Sequence, residues 1–349
     1  MDTVQFSIIV PVYNGEAFLE RTIQNLLSLD HPSYEVVLVN DGSTDASAAV
    51  CQQYLSDSRV KLISQENQGI HGARNTGVRN AAGEYLCFCD QDDLFHPDAL
   101  KQLASVLTGS VRPDVICANS LKEVTDISGK AATAPHVQTF ETFQNRLISR
   151  DEIFQSVICH MVKELNALAA APAQETLGVV WNKAFRSAFV REKGIEFQRS
   201  ITFEDDYVFC LACFSWAESV YFLNKDIYTW RIRKDSISHA AKYWPDYWDR
   251  SVELYRYYET KLFPQFPVSD ELKRQILRQK YWWSAKKAME NEAFRSCAPN
   301  QEKCAQLKKI DLSLLPEAKE LQSKRDRLLL KLLRLRQYRL LLHALAHKL

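Results

Sequence analysis

Closely spaced acidic side chains follow the fourth apolar segment of the chain. Asp90 and Asp92 come at the end of residues 84–89, which have the composition of a buried strand. Two carboxylates one residue apart at a strand end can face a common cation, and Mg²⁺ and Mn²⁺ prefer such oxygen ligands. A cation held there would neutralise phosphate groups of a ligand. The alternative is a solvated acidic turn in which Asp93 caps the following helix.

Two further polar segments have the residue types of ligand-binding loops. In residues 39–45, Asp41 can accept a hydrogen bond from the imide N–H of uracil or thymine, although this segment also suits a turn. In residues 67–77, two glycines allow close backbone approach to a ligand. Arg74 lies in the first turn of the predicted helix there, where it can hydrogen-bond a base or a phosphate, or remain solvated.

Four segments occur in the order and at the spacing typical of the family 2 glycosyltransferases, and the chain resembles that family over residues 6–95. They are V-P-V-Y-N at 10–14, V-N-D-G-S-T-D at 39–45, N-x-G-x-x-x-A-R-N-x-G at 67–77 and D-x-D-D at 90–93. The resemblance implies the GT-A fold and transfer of a sugar from a nucleotide-diphosphate donor. It also implies a metal cofactor, Mn²⁺ or Mg²⁺.

The resemblance assigns roles to individual residues. Asp90 would contact the ribose or the metal, and Asp92 would ligate the metal through the diphosphate. Arg233, whose guanidinium suits phosphate oxygens, or His239 is a candidate for contacting the diphosphate. The residues implied in nucleoside contact are Pro11, Tyr13, Asp41, Asn67 and Arg74.

A second acidic cluster, at residues 203–206, resembles the family's acidic pair, in which the aspartate is the general base. In an inverting transfer, a carboxylate must take the proton of the acceptor hydroxyl as the new bond forms. Asp205 matches that position, and a shift of one residue would place the base at Asp206 or Glu204. An acidic helix start also suits the helix dipole, whatever its catalytic role.

The elements that must position these residues alternate between short apolar runs and helix-period stretches. This alternation predicts an α/β fold with a mostly parallel, doubly wound sheet, in which ligands bind beyond the carboxyl ends of the strands. The predicted strands are 6–12, 35–39, 60–64, 84–89, 114–118, 219–223 and 227–231. The predicted helices include 16–29, 73–81, 96–107, 151–168, 181–192 and 205–216.

Composition is typical of a globular protein with a sizeable core, and 46% of the 349 residues are hydrophobic. A formal net charge of +1 gives no general attraction to nucleic acid, which is not an expected partner. The nine scattered cysteines favour buried thiols in a reducing compartment. Because a secretory signal and a spanning apolar run are both missing from the pattern, we expect a cytoplasmic protein, or one bound to the inner face of the membrane.

After residue 238 the composition shifts to Trp, Tyr, Lys, Arg and Leu, and no strand pattern is evident. We therefore predict a domain boundary near residue 240. Residues 1–240 would form the catalytic domain, with a nucleotide-sugar half at 1–95 and an acceptor half at 96–240. Residues 241–349 would form a helical extension. Its last part, residues 323–349, is basic and leucine-rich, which is typical of a helix lying on an anionic membrane surface. Packing on the catalytic domain or a homo-oligomer interface are the alternatives.

These observations predict an inverting hexosyl- or N-acetylhexosaminyl-transferase. The donor would be a UDP-sugar, although dTDP satisfies the same contact to Asp41. The acceptor would be a hydroxyl of a glycan, carried on a lipid, in the synthesis of a bacterial surface polysaccharide such as a capsule. The alternative is a non-catalytic nucleotide-sugar-binding or scaffold protein whose C-terminal helix binds a membrane or a partner.

Overall fold

The computed structural model describes residues 4–108, 110–125, 131–137, 143, 145–163, 176–199, 204–232, 243–244 and 246–346. The chain divides into two compact units. Unit 1 comprises residues 1–198 and 204–236, and unit 2 comprises residues 199–203 and 237–349. The division after residue 236 lies close to the boundary predicted near residue 240.

A mixed sheet forms the centre of unit 1. Its strands are β1 (Phe6–Val12), β2 (Tyr34–Asp41), β3 (Val60–Gln65), β4 (Tyr85–Phe88), β5 (Leu94–Phe95), β6 (Val115–Thr125), β7 (Ala131–Val137), β8 (Arg146–Ser149), β9 (Lys183–Arg186) and β10 (Ser219–Ile232). Eight of them follow the order β3-β2-β1-β4-β9-β6-β10-β5, while β7 pairs with β6 and β8 with β10.

The helices of unit 1 lie between these strands in the sequence. They are α1 (Glu16–Leu27), α2 (Ser47–Gln53), α3 (Ile70–Asn80), α4 (Ala99–Ala104), α5 (Arg150–Ile153), α6 (Cys159–Met161), α7 (Ser187–Glu192) and α8 (Glu204–Trp216). A π-helical turn, Phe154–Ile158, joins α5 to α6. The predicted α/β class is confirmed.

The first four strands follow the predicted parallel pattern. β1 pairs in parallel with β2 and β4, and β2 pairs in parallel with β3. Every residue of β1 and β2 is buried, as expected for parallel strands covered on both faces. Helix α1 buries Leu19, Ile23 and Leu26, whose spacing forms one helical stripe. These elements place the ends of β1, β2 and β4 at one edge of the sheet.

The second half of the sheet departs from the predicted elements. Residues 181–192 were predicted as one helix, but Lys183–Arg186 form β9, antiparallel to both β4 and β6, and only Ser187–Glu192 are helical. The helical prediction for 183–186 is wrong because pairing with two neighbouring strands outweighs local propensity. The two strands predicted at 219–223 and 227–231 are one long strand, β10, with register shifts between Leu223 and Tyr228.

The predicted helices at 96–107 and 151–168 are also shorter or interrupted. The structure forms the two-residue strand β5 before α4, which spans only Ala99–Ala104. Residues 151–161 are helical with a π-turn, whereas residues 164–168 lie outside the described part of the chain. Strand β7 was not predicted, because residues 122–142 have a polar and irregular pattern.

Helices are the regular secondary structure of the described residues of unit 2, and short non-helical segments connect them. Its helices are α9 (Tyr247–Tyr257), α10 (Asp270–Glu290), α11 (Asn300–Leu307), α12 (Lys324–Arg334) and α13 (Tyr338–Ala346). Tyr255 packs edge-on against Tyr281 with ring centroids 5.0 Å apart, and its hydroxyl is 2.8 Å from Ser284 Oγ. Within the described residues, no helix combines the length and apolar character required to cross a bilayer.

Candidate active site

The loop after β1 and the acidic loop after β4 are joined through Gln91, the residue between the two aspartates. Gln91 Oε1 accepts a hydrogen bond from Tyr13 N at 3.0 Å, and Gln91 Nε2 donates to Tyr13 O at 3.0 Å. Gly15 permits this approach, because a Cβ there would lie 2.3 Å from Gln91 Oε1. Tyr13 is 44% exposed beside this contact, and Pro11 is buried within β1. The two loops therefore form one surface at the carboxyl ends of adjacent strands.

Asp41 organises the loop that leads into α3. Its carboxylate accepts hydrogen bonds from Gln65 Nε2 at 2.7 Å, Gln68 N at 2.9 Å and Gly69 N at 2.8 Å. Gly69 has a φ of 82°, a conformation that glycine adopts without strain. Asp41 is 2% exposed, whereas Asn67 in the same loop is exposed. The carboxylate predicted to meet the nucleoside thus has a clear structural function as well.

Arg74, on α3, joins three carboxylates that are far apart in the sequence. It donates from Nη2 to Asp90 Oδ1 at 3.1 Å and from Nη1 to Asp205 Oδ2 at 3.1 Å, and it also donates to Asp206 Oδ1. The Arg74 side chain is 2% exposed. Phe197 packs against the guanidinium, 5.3 Å from its ring centroid. The donor-side acid Asp90 and the candidate base Asp205 therefore bind the same buried cation.

Two other residues of the 67–77 motif place α3 and Phe197. Asn75 Nδ2 donates to Phe197 O at 2.9 Å, and Phe197 N donates to Asn75 Oδ1 at 2.8 Å. A Cβ at Gly77 would lie 2.3 Å from the side chain of Ile9, so glycine allows the helix to pack directly on β1. The motif therefore encodes the position of Arg74 as well as its identity.

Burial dominates the titration of the two aspartates in this cluster. It raises the pKa of Asp205, and the neighbouring Arg74 charge offsets only part of that shift. Burial likewise raises the pKa of Asp206 despite the attraction of Arg74. For Arg74, burial lowers the pKa, but Asp206, Asp90 and Asp205 together outweigh it and the net shift is upward. A carboxylate whose pKa is raised toward neutrality is better suited to accept a proton near neutral pH.

The acidic loop is held from the other side by β10. Asp93 Oδ2 accepts a hydrogen bond from the Tyr228 hydroxyl at 2.8 Å, and Asp93 Oδ1 accepts one from Arg231 N at 2.8 Å. The Tyr228 hydroxyl also accepts from Asp90 N at 3.1 Å, and the Tyr228 ring stacks on Trp181 at 4.8 Å. Asp93 is thus a structural residue of the loop rather than the cap of α4, whose N-cap is Asp98.

Tyr228 and Arg231 were not singled out from the sequence for this role. They lie 135 and 138 residues after Asp93, and only the pairing of β10 with β5 and β6 brings them to the loop. The apolar and aromatic composition of residues 219–231 signals a strand, but it carries no information on which loop that strand supports.

The residues predicted to hold a metal have suitable chemistry. Asp90 is one-third exposed and Asp92 is partly exposed, so both carboxylates combine hard oxygen donors with access to a ligand. Two carboxylates leave coordination positions for phosphate oxygens and water, which Mg²⁺ usually retains. Among the described residues, no group of three or more His, Cys, Asp or Glu side chains could hold a metal by itself. Arg233 and His239, the candidate diphosphate contacts, lie outside the described residues.

Comparisons with known proteins agree with this arrangement. Residues 7–155 match the family model "Glycosyl transferase family 2". EpsH of Bacillus subtilis, named as a glycosyltransferase, is 28% identical over 73% of this chain and 68% of its own length. The glycosyltransferase GlyA of Streptococcus pneumoniae is 29% identical over 70% of this chain, which spans only 32% of GlyA.

Solved structures give the same fold. The crystal structure of S. aureus TarS residues 1–349 in complex with UDP-GlcNAc superposes with a TM-score of 0.65 at 20% identity, covering 99% of this chain and 91% of that one. At this identity the likeness concerns the fold. Residues 7–155 thus match the family 2 glycosyltransferases in sequence, and the architecture confirms the predicted GT-A fold.

Proposed function

We propose that the chain is an inverting glycosyltransferase that moves a hexosyl or N-acetylhexosaminyl group from a UDP-sugar to a hydroxyl of a glycan. The proposed acceptor is a lipid-linked glycan used in surface polysaccharide synthesis. The observation that carries the proposal is the contact of Arg74 with both Asp90 and Asp205. It joins a carboxylate beside the donor loops to one suited to act as the base.

The donor side is formed by three loops at one sheet edge. Tyr13, Asp41 and Asn67 are the proposed contacts of the nucleoside, and an aspartate at position 41 suits the imide N–H of uracil. The complex of TarS, a protein of the same fold, with UDP-GlcNAc supports this donor class. When bound between Asp90, Asp92 and the diphosphate, Mn²⁺ or Mg²⁺ would supply positive charge that stabilises the leaving group.

The acceptor side requires a base opposite the leaving nucleotide. In the proposed step, the acceptor oxygen forms a bond to the anomeric carbon while the bond from that carbon to the diphosphate oxygen breaks. The hydroxyl proton passes to the Asp205 carboxylate, and the configuration at the anomeric carbon inverts. Arg74 holds Asp205 in place and keeps a positive charge beside the carboxylate before it accepts the proton.

A panel of nucleotide sugars with Mn²⁺ tests the proposal without knowledge of the acceptor. We expect a UDP-sugar to raise the melting temperature and to undergo slow hydrolysis. Early NMR spectra should show the sugar released with inverted anomeric configuration. We expect Asp205→Asn to lower hydrolysis about 10²- to 10⁴-fold while donor affinity is retained. Asp151→Asn, at an exposed position on α5, is the matched control and should hydrolyse donor at the wild-type rate.

Other outcomes would contradict specific parts of the proposal. Release of the sugar with retained configuration would exclude the inverting step. Undiminished hydrolysis by Asp205→Asn would remove Asp205 as the base, and Asp206→Asn would then be measured next. Binding of UDP-sugars with no turnover of any donor or glycan would favour the non-catalytic alternative.

A further inference from the structure

The basic C-terminal segment folds as a helical hairpin rather than as one long amphipathic helix. Helix α12 ends in a turn in which Arg336 N donates to Leu333 O at 3.0 Å and Gln337 N donates to Leu332 O at 2.9 Å, before α13 begins. This is the hydrogen-bond pattern of a Schellman cap. We call residues 324–346 the C-terminal hairpin.

Most leucines of the hairpin are used inside unit 2. Leu329, Leu330 and Leu333 on α12 are at most 3% exposed, and Leu341 and Leu345 on α13 are at most 1% exposed. The carboxylate of Asp326 accepts hydrogen bonds from Trp282 Nε1 at 3.0 Å and Lys286 Nζ at 2.9 Å, which fixes α12 to α10. The hairpin is therefore part of the folded unit and is not free to insert its apolar side into a bilayer.

The opposite side of α12 alternates cationic and apolar residues. Four exposed residues form this side: Lys324, Leu328, Lys331 and Leu335. Because successive members are four, three and four residues apart, they lie in one narrow stripe along the helix. Leu328 and Leu335 are 43% and 58% exposed. The stripe lies about 180° around the helix from Leu333, so it faces away from the packed side.

The same chemistry continues past the turn. Arg336 and Arg339 are exposed, and Leu340 on α13 is 55% exposed. The side chains of these basic residues make no hydrogen bond or ion pair with the described part of the chain: Lys324, Lys331, Arg336 and Arg339. By contrast, Lys101, Arg274, Lys287 and Lys319 are exposed elsewhere and each pairs with an acidic side chain.

We infer that the C-terminal hairpin docks this protein on an anionic lipid surface. Four unpaired cations supply attraction to acidic headgroups, and Leu328, Leu335 and Leu340 supply shallow apolar contact. Because most of the other leucines are packed in the core of unit 2, the docking is peripheral, salt-sensitive and independent of unfolding. The inference goes beyond the proposed sugar transfer and can be tested without donor or acceptor.

Co-sedimentation of the full-length protein with vesicles tests this surface. One set of vesicles contains phosphatidylcholine alone, and the other also contains about 30% phosphatidylglycerol. Binding is measured at about 50 mM and about 300 mM salt, because the higher salt concentration shortens the Debye length and screens the charges. We expect binding to the anionic vesicles at low salt, with weaker binding at high salt and on phosphatidylcholine. The quadruple variant Lys324→Glu, Lys331→Glu, Arg336→Glu, Arg339→Glu should bind about 100-fold more weakly or worse.

A matched variant separates local charge from net charge. The control is a second quadruple variant at cations that already form ion pairs: Lys101→Glu, Arg274→Glu, Lys287→Glu and Lys319→Glu. It changes the net charge by the same amount and should retain at least half of the wild-type vesicle binding. Circular dichroism and thermal melting confirm that both quadruple variants fold. Equal loss of binding in the two variants, or no binding by the wild type at low salt, would overturn the inference.

The exposed leucines distinguish a lipid surface from a soluble polyanion. A triple variant replaces them with serine: Leu328→Ser, Leu335→Ser and Leu340→Ser. We expect this variant to bind vesicles about 3- to 10-fold more weakly, whereas its binding to heparin, the polyanion probe, should stay unchanged. If the leucine variant binds vesicles as tightly as the wild type and heparin displaces the protein completely, the partner is a soluble polyanion and the lipid assignment is wrong.

Discussion

Arg74 and Arg336 are the same residue type in opposite settings. Arg74 is 2% exposed and binds three carboxylates. Arg336 is exposed and lies at a helix turn with a φ of 56°, and its side chain has no partner in the described part of the chain. A buried cation must be neutralised inside the fold, because desolvation would otherwise cost several kcal/mol. An exposed cation is under no such constraint. Arg74 therefore serves the structure of the site, whereas the Arg336 side chain is available to a partner outside the chain.

Removing the buried cation should have the largest effect on stability. We expect Arg74→Met to lower the free energy of unfolding by about 3–5 kcal/mol at neutral pH, because three carboxylates lose their counter-charge. Arg74→Lys should recover only part of this loss, since an ammonium cannot reproduce the guanidinium fork. Arg59→Met, which removes a more exposed ion pair with Asp57, is the control and should cost about 1 kcal/mol or less. Denaturant unfolding measures all three, and equal losses at positions 74 and 59 would break the comparison.

The acidic loop provides a second buried group whose loss should be costly. Asp93→Ala leaves the Tyr228 hydroxyl and Arg231 N without their acceptor, and we expect a loss of about 1–3 kcal/mol in unfolding free energy. Asp93→Asn keeps an acceptor and should cost less. Burial, with Asp90 and Asp92 nearby, raises the pKa of Asp93. Because the carboxyl group ionises more readily in the unfolded chain than in the folded protein, the wild type loses folding stability as the pH rises. Asp93→Asn does not titrate, so its unfolding free energy should increase relative to that of the wild type with increasing pH.

The pair Asp205 and Asp206 should respond to pH as one unit. If Asp205 must be ionised to act as the base, donor turnover falls on the acid side as the pH drops through its raised pKa. Asp206→Asn removes a neighbouring negative charge, which favours ionised Asp205, so the acid limb of the pH–rate profile should move to lower pH. Loss of the acid limb in Asp206→Asn would show that Asp206 itself is the group being titrated.

The exposed arginine should give the smallest effect, and one of opposite sign. Arg336→Gly relieves the left-handed backbone at the turn, and we expect a gain of about 0.5–1 kcal/mol in unfolding free energy. Thermal melting detects this as a small rise in melting temperature. A loss of more than about 1 kcal/mol would mean that the Arg336 side chain contributes to the fold, which would contradict its assignment to an external partner.

Sequence patterns predicted the parts of the molecule that depend on local order. Strands β1 to β4 and the loops carrying Asp41, Arg74 and Asp90 follow from apolar runs and motif spacing within a hundred residues. Strand β9 was missed because Lys183–Arg186 reads as helical, and its conformation is decided by pairing with β4 and β6. The predicted base Asp205 lies beside Arg74 in the structure, yet its assignment as a catalytic residue stays a prediction.

The charge network of Arg74 shows what sequence reasoning could not supply. The sequence marked Arg74 as a nucleoside contact, but its spacing from Asp205, 131 residues away, carries no information on their distance. Only the folded sheet reveals that its guanidinium is occupied by carboxylates. The hairpin shows the same limit, because the leucine content of 323–349 predicted an apolar membrane face, while most of those leucines are needed by neighbouring helices.

The hydrogen bonds from β10 to Asp93 have a consequence for the order in which the site is assembled during synthesis. The ribosome produces the acidic loop early, but Tyr228 and Arg231 emerge more than 130 residues later. A nascent chain that ends at residue 155 contains the whole family match and the four motifs at 10–93, yet lacks these two supports and Asp205. The acidic loop therefore gains these two hydrogen bonds only after β10 has joined the sheet, late in the synthesis of the chain.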